Sequence, residues 1–119
     1  SMRFIFPDRE TNDTEAVVQS QLNAYNARDI DGFMATYSDD IELFNFPNES
    51  FMKGKTKMKA RYEEFFKSTP KLHCEIKNRM VIGNKVIDEE YITGTKSSFR
   101  AAAIYEVEEG KITKVTFIR

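Results

Sequence analysis

The run Val86-Ile87-Asp88-Glu89-Glu90-Tyr91-Ile92 carries the residues best suited to chemistry. Side chains alternate between faces along a strand, so Asp88 and Glu90 share one side while Glu89 takes the other. If that side is enclosed, burial and mutual repulsion raise the pKa of one carboxylate, and an acid and a base then coexist near neutrality. Proton transfer uses such an arrangement. If the side is open, the same pair belongs to a solvated ion-pair ladder. A two-residue Gly83-Asn84 hairpin sets Arg79 opposite Asp88 and Lys77 opposite Glu90 on an outer face. A bulge that shifts the register by one residue moves the acids to the face of Met80 and Ile82. Register decides between the two.

Other candidates are ranked by the same test of surroundings. Ala101, Ala103 and Tyr105 fall on one face of a strand from Phe99 to Val107. Two small side chains beside one hydroxyl leave room for a ligand, and they equally suit a helix packed upon them. Tyr25, Tyr37 and Tyr62 lie on helical stripes with apolar neighbours, which favours core packing with a hydroxyl at the rim of any cavity. His73 is the only histidine, falls in phase with Glu75, Lys77 and Arg79, and excludes a multi-histidine metal site. Cys74 alternates inward with Ile76 and has no basic partner nearby in sequence, so it reads as a buried thiol. There is no Ser-His-Asp spacing, phosphate loop or glycine-rich dinucleotide motif, and no cofactor is implied.

The bulk properties narrow the classes further. A chain of 119 residues fits one domain. Eighteen basic against nineteen acidic residues leave a net charge of -1 with both signs scattered, which provides no field for a nucleic acid backbone. No apolar run reaches the roughly 18 residues of a membrane span, and the first residues lack the blocks of a signal peptide. One cysteine forms no intrachain disulfide, which suits a reducing compartment and makes the cytoplasm the expected location. Ten phenylalanines and no tryptophan point to an interior or cavity wall rich in rings.

The elements that must position these residues follow from periodicity. Residues 1–11 read as an N-terminal arm and 12–119 as a single domain. Asn12 with Glu15 resembles a capping box, and Val18, Leu22 and Tyr25 draw a helical stripe over about 13–27. Asp29 or Asp31 caps a short second helix carrying Ile30, Phe33, Met34 and Tyr37, closed by Asp39-Asp40. Ile41 to Phe46 reads as a strand stopped by Pro47, and a loop through Gly54 leads to a third helix from Thr56 with Met58, Tyr62, Phe65 and Phe66 on one side. From Leu72 the period becomes two, and runs at about 72–82, 85–94, 98–108 and 111–118 form a meander. Helices crowding one face of an antiparallel sheet make an α+β domain, and a strongly curved sheet leaves a pocket beneath them.

Three stretches resemble a known family. They are Leu22 to Phe33 (LNAYNARDIDGF) with Tyr37-Ser38-Asp39-Asp40, then Phe51-Met52-Lys53-Gly54-Lys55, and Ala103 to Ile112 (AIYEVEEGKI). Over about residues 13–119 the chain is similar to the NTF2-like superfamily, also called SnoaL-like, which includes ketosteroid isomerases, polyketide cyclases and limonene-epoxide hydrolases. The resemblance implies a cone-shaped fold, a pocket between helices and concave sheet, and a homodimer through the outer sheet face. It does not fix the activity. Ketosteroid isomerases require an aspartate base, a tyrosine donor and a protonated aspartic acid; the corresponding positions hold Asn45, Gln21 and Tyr105. An amide cannot abstract the proton, whereas Tyr105 can donate to a developing oxyanion. Epoxide hydrolases of the family use an arginine between two aspartates with a tyrosine and an asparagine. Asn45 matches that asparagine, while Leu43, Glu90, Ile92 and Phe117 replace the rest.

The expected function is therefore a small-molecule enzyme of isomerase, dehydratase or cyclase type acting on a hydrophobic organic substrate. Asp88 or Glu90 exchanges the proton and Tyr105 or Asn45 orients a carbonyl. Gln21, Tyr25, Tyr37, Tyr62, Phe65, Met80, Ile92, Ala103 and Phe117 are the expected ligand contacts. Ile104, with Tyr91 or Ile87, is expected in the dimer patch. The alternative is a ligand-binding or dimerisation module without turnover.

Overall fold

The computed structural model describes residues 9–119, with side chains described from residue 13 onward. Helix α1 spans Arg9–Ala27. It starts earlier than the sequence signals place it, so Asn12 and Glu15 lie inside the helix and do not cap it. The part of the expected arm over residues 1–8 lies outside the described residues. Val18, Gln21 and Ala24 of α1 are buried, and Leu22 and Tyr25 flank them. Helix α2 spans Ile30–Met34, and the Asp29 carboxylate caps it by accepting from the Gly32 backbone N–H at 3.0 Å.

Tyr37 does not continue that helix. It opens strand β1, Tyr37–Asn45, which also absorbs Asp39 and Asp40. Pairing supplied by distant residues overrides the local helical signals here: Tyr37 lies beside Ile112, whose N–H donates to the Thr36 carbonyl at 2.8 Å. Strand β2, Glu49–Lys53, stands where a loop was expected. Only Met52 in it is buried, so its sequence shows little alternation. Helix α3, Lys55–Ser68, buries Met58 and Phe66 and half-buries Tyr62 and Phe65.

The remaining strands are β3 (His73–Ile82), β4 (Lys85–Thr93), β5 (Phe99–Glu108) and β6 (Lys111–Ile118). The sheet order is β2-β1-β6-β5-β4-β3. All neighbours are antiparallel except β1 and β6, which run parallel, so the sheet is mixed where the sequence predicted a wholly antiparallel one. A parallel pair requires a long crossover, and α3 with the four strands β2, β3, β4 and β5 provides it. The sheet is open, with β2 and β3 at its edges, and does not close into a barrel.

The edge strand β3 is tied to α1 through side chains. The Asn26 amide accepts from the Cys74 N–H at 2.8 Å and donates to the Cys74 carbonyl at 3.0 Å, standing in for the strand neighbour that an edge lacks. Arg28 donates to the Leu72 carbonyl at 3.0 Å. Between helices and sheet, Phe33 packs against Tyr37 and Tyr62 with ring centroids 5.0 and 4.8 Å apart. Among the described residues, no helix is long and apolar enough to cross a membrane.

Candidate active site

One inserted residue settles the register question. Ile76 faces Glu90 and Asn78 faces Glu89, so Lys77 is an extra residue in β3. Before the bulge Cys74 and Ile76 point inward; after it Arg79 and Val81 do. Arg79 therefore stands opposite Asp88, as the simple hairpin requires, but on the inner face. Met80 and Ile82 turn outward and are 55% and 61% exposed. The expectation that Met80 contacts a ligand is thus corrected, because the bulge inverts the alternation past residue 77.

Asp88 and Glu90 are both buried, at 1% and 7% exposure, yet their surroundings differ. Arg79 donates to both oxygens of Asp88, at 2.7 Å through Nε and 2.9 Å through Nη2. The same guanidinium donates to Gln19 on α1 at 2.7 Å, with Glu15 3.9 Å away. Asp88 is thereby held as the carboxylate of a bidentate ion pair, and it does not border the cavity.

Glu90 has no cationic partner within ion-pair distance among the described residues and does border the cavity. Burial, and next the charge of Asp88, push its carboxyl up to about 7; the Cys74 thiol and the Tyr105 hydroxyl pull in the opposite direction without cancelling this. Tyr105 Oη donates to Glu90 Oε2 at 3.4 Å. Across the ladder Glu90 faces Ala101 and Asp88 faces Ala103. These small neighbours leave the Tyr105 side chain room to reach along the sheet toward Glu90.

The cavity encloses about 130 Å³. Of the expected ligand contacts, Gln21, Tyr25, Tyr37, Tyr62, Phe65, Ile92 and Phe117 line it. Ala103 does not; it is wholly buried opposite Asp88. Burial raises the hydroxyls of Tyr25, Tyr37 and Tyr105 above the ordinary tyrosine range and that of Tyr62 to about 12. All four therefore stay protonated and able to donate at physiological pH. Asn45, expected to orient a carbonyl, does not line the cavity; its amide donates to Glu49 at 3.0 Å and accepts at 2.8 Å from Arg119, which does.

Sequence reasoning missed several lining residues. Cys74 had been set aside as structural although its phase points inward, and burial raises its thiol well above the ordinary range. Phe99 shares the inward phase of Ala101 and Tyr105, which the sequence places on one face with room for a ligand, and was legible from it. Arg119 lies one residue past β6, where no alternation carries a signal. Among the described residues, no three His, Cys, Asp or Glu side chains cluster as a metal site requires.

Comparison with known proteins places this geometry in context. A family model described as SnoaL-like domain matches residues 18–115. No curated protein matches the sequence. An uncharacterised cystatin-fold protein from Novosphingobium aromaticivorans superposes with a TM-score of 0.81 at 28% identity, covering 90% of this chain and 97% of its own. A SnoaL-like protein of unknown function from Burkholderia thailandensis gives 0.75 at 17% identity, covering 89% and 92%. An LEH-like epoxide hydrolase from M. tuberculosis gives 0.75 at 21% identity, covering 92% and 84%. The last two likenesses concern the fold alone.

Proposed function

The chain belongs to the SnoaL-like domain family, and from that premise we propose that it is an enzyme of isomerase, dehydratase or cyclase type that moves a proton on a small hydrophobic molecule. One observation carries this reading: an acid raised to about 7, with no cation in ion-pair range among the described residues, borders an aromatic cavity. A carboxyl near that value exists in both protonation states at neutral pH, which suits a group that takes a proton and returns it. Of the two acids considered from sequence, Glu90 fills this role. Asp88, already paired with Arg79, supports it by raising its pKa.

The reaction starts with Glu90 as carboxylate. It removes a proton from a carbon beside a carbonyl, while a protonated tyrosine donates to the oxygen that gains charge. Tyr105 is placed for this donation. Its contact with Glu90, at 3.4 Å, is long beside the usual 2.7–2.8 Å for hydroxyl donors, so an oxyanion readily competes for it. Glu90 then carries the proton until it is delivered to another atom of the same molecule. Asn45, bound to Arg119 and Glu49 and not lining the cavity, has no such place in the chemistry.

The cavity sets the substrate's size. A volume of about 130 Å³ lies below the roughly 300–1,000 Å³ of pockets for drug-sized ligands. It is close to the ~150 Å³ that holds one benzene ring. A single-ring or short-chain ketone fits, and a steroid does not. The test is deuterium incorporation from heavy water into a panel of such ketones, read by NMR. Wild-type protein should accelerate exchange for at least one member, and Glu90→Gln should remove about 10²–10⁴ of that acceleration. Equal exchange by both proteins across the panel sinks the reading.

A second reading, a ligand-binding module without turnover, draws on the Arg79–Asp88 pair, which leaves one acid where paired-carboxylate chemistry employs two. Saturable binding of ring compounds without exchange would favour it. Under either reading we propose a homodimer through the outer sheet face. There Met80, Ile87, Ile104, Thr116 and Phe44 are successive neighbours across five strands. Met80, Ile82 and Tyr91 are the exposed apolar side chains on that face, with Ile87, Ile104 and Phe44 half-buried and Thr116 buried.

A further inference from the structure

Among the described residues, two charged side chains border the cavity, Glu90 within and Arg119 at the exposed mouth. We propose that Arg119 is a carboxylate anchor, and that the molecules this cavity takes are small organic acids whose carboxylate seats on Arg119 while the apolar remainder enters. The inference deepens the reading of the Glu90 site: it names the substrate class and relies on that reading for which end of the molecule reacts.

Arg119 is held in place without being neutralised. One guanidinium nitrogen donates to Asn45 Oδ1 at 2.8 Å. The guanidinium carbon stands 4.8 Å from the centre of the Phe117 ring and 5.8 Å from that of Phe51. Among the described residues, no carboxylate lies within 4 Å of it. Glu49, the acid that completes this network, is engaged by the amide of Asn45 instead. A guanidinium carries five N–H donors in a planar fork, and the contact with Asn45 uses one. The remainder match a carboxylate's two oxygens in geometry and charge.

The positive charge also reaches inward. Arg119 lowers the hydroxyl pKa of Tyr62 and Tyr25, opposing the rise caused by burial. An anion at the mouth is therefore felt along the cavity. The arrangement also keeps like charges apart. A carboxylate seated on Arg119 stays at the exposed end, and the carbon skeleton, running in between Phe117 and Phe65, is what meets Glu90.

Benzoate and benzamide serve as probes, because they share ring and shape and differ in charge. NMR titrations at low salt should show benzoate binding about 10-fold tighter than benzamide to wild-type protein, with the preference shrinking at high salt. Arg119→Gln should reduce the preference to near unity, and Arg119→Lys should restore part of it. Circular dichroism should show both variants folded. Glu90→Gln, which removes a negative charge from the cavity wall, should bind benzoate in preference to benzamide at least as strongly as wild type, so a failure of proton exchange and a failure of the anchor register separately. Benzamide binding as tightly as benzoate in wild type, an unchanged preference in Arg119→Gln, or no saturable benzoate binding would each overturn the proposal.

Discussion

Arg79 grips both oxygens of Asp88 across neighbouring strands, at 2.7 and 2.9 Å, on the inner face of the sheet. That grip divides the labour between two acids that sequence alone leaves equivalent. Asp88 is fixed as an anion, and its fixed charge helps lift Glu90 two residues along β4.

The pair makes a stability test. Removing Arg79 leaves a carboxylate at 1% exposure without its partner, which costs about 3–5 kcal/mol. Arg79→Met should lower the urea midpoint accordingly, and adding Asp88→Asn should recover most of the loss. A single variant as stable as wild type would show that Asp88 is already neutral.

Glu90 makes stability depend on pH in a definite direction. Its carboxyl lies at about 7 in the folded chain against 4.5 ordinarily, so between these values the native state keeps a proton that the unfolded chain has released. Stability is complete below about pH 4.5 and falls as pH rises through 7, by an amount on the order of 2–3 kcal/mol. Glu90→Gln should remove this slope. Its melting temperature should match wild type in acid and exceed it by several degrees at about pH 8. Parallel melting curves for the two proteins across this range would contradict the assignment.

Tyr105 tests the catalytic geometry. Its hydroxyl pulls the Glu90 pKa down, so Tyr105→Phe should shift the rising limb of the exchange rate against pH toward higher pH. The plateau should drop about 10-fold or more as a donor to the oxyanion disappears. A lower plateau with an unmoved midpoint would mean that Tyr105 acts on substrate alone.

The outer sheet face gives a mass measurement. Ile87 and Ile104 face each other at the middle of the apolar row, both half-buried in the single chain. Light scattering at micromolar concentration should return twice the chain mass, and Ile104→Glu should return a monomer. A monomeric wild type removes the dimer.

Much of the fold was legible because helical and strand periods are strong where a face is continuously buried. Val18, Leu22 and Tyr25 announced α1, and the alternation from Val86 to Ile92 announced β4. The misses share one cause, structure imposed by distant partners. Tyr37 entered a strand because Ile112 lay beside it, and β2 formed along β1 with one buried residue. In the site, Tyr105, Tyr25 and Tyr62 followed from phase, whereas the side that Glu90 faces depended on the register. Nor did the inward turn of Arg79 follow from phase, since nothing in Ile76-Lys77-Asn78-Arg79 marks which residue the ladder skips. Arg119 stayed hidden because a position just past a strand has no phase to read.

The residue that β3 skips has a consequence beyond this molecule's present chemistry. Losing Lys77 would remove the bulge and leave every other pair as it is, with Ile76 still opposite Glu90 and Arg79 still opposite Asp88. A change of one codon in length at this point would thus keep the buried pair and the inward set of Cys74, Ile76, Arg79 and Val81. An edge strand built this way can gain or lose one residue there and still present the same inner face, with no new topology required.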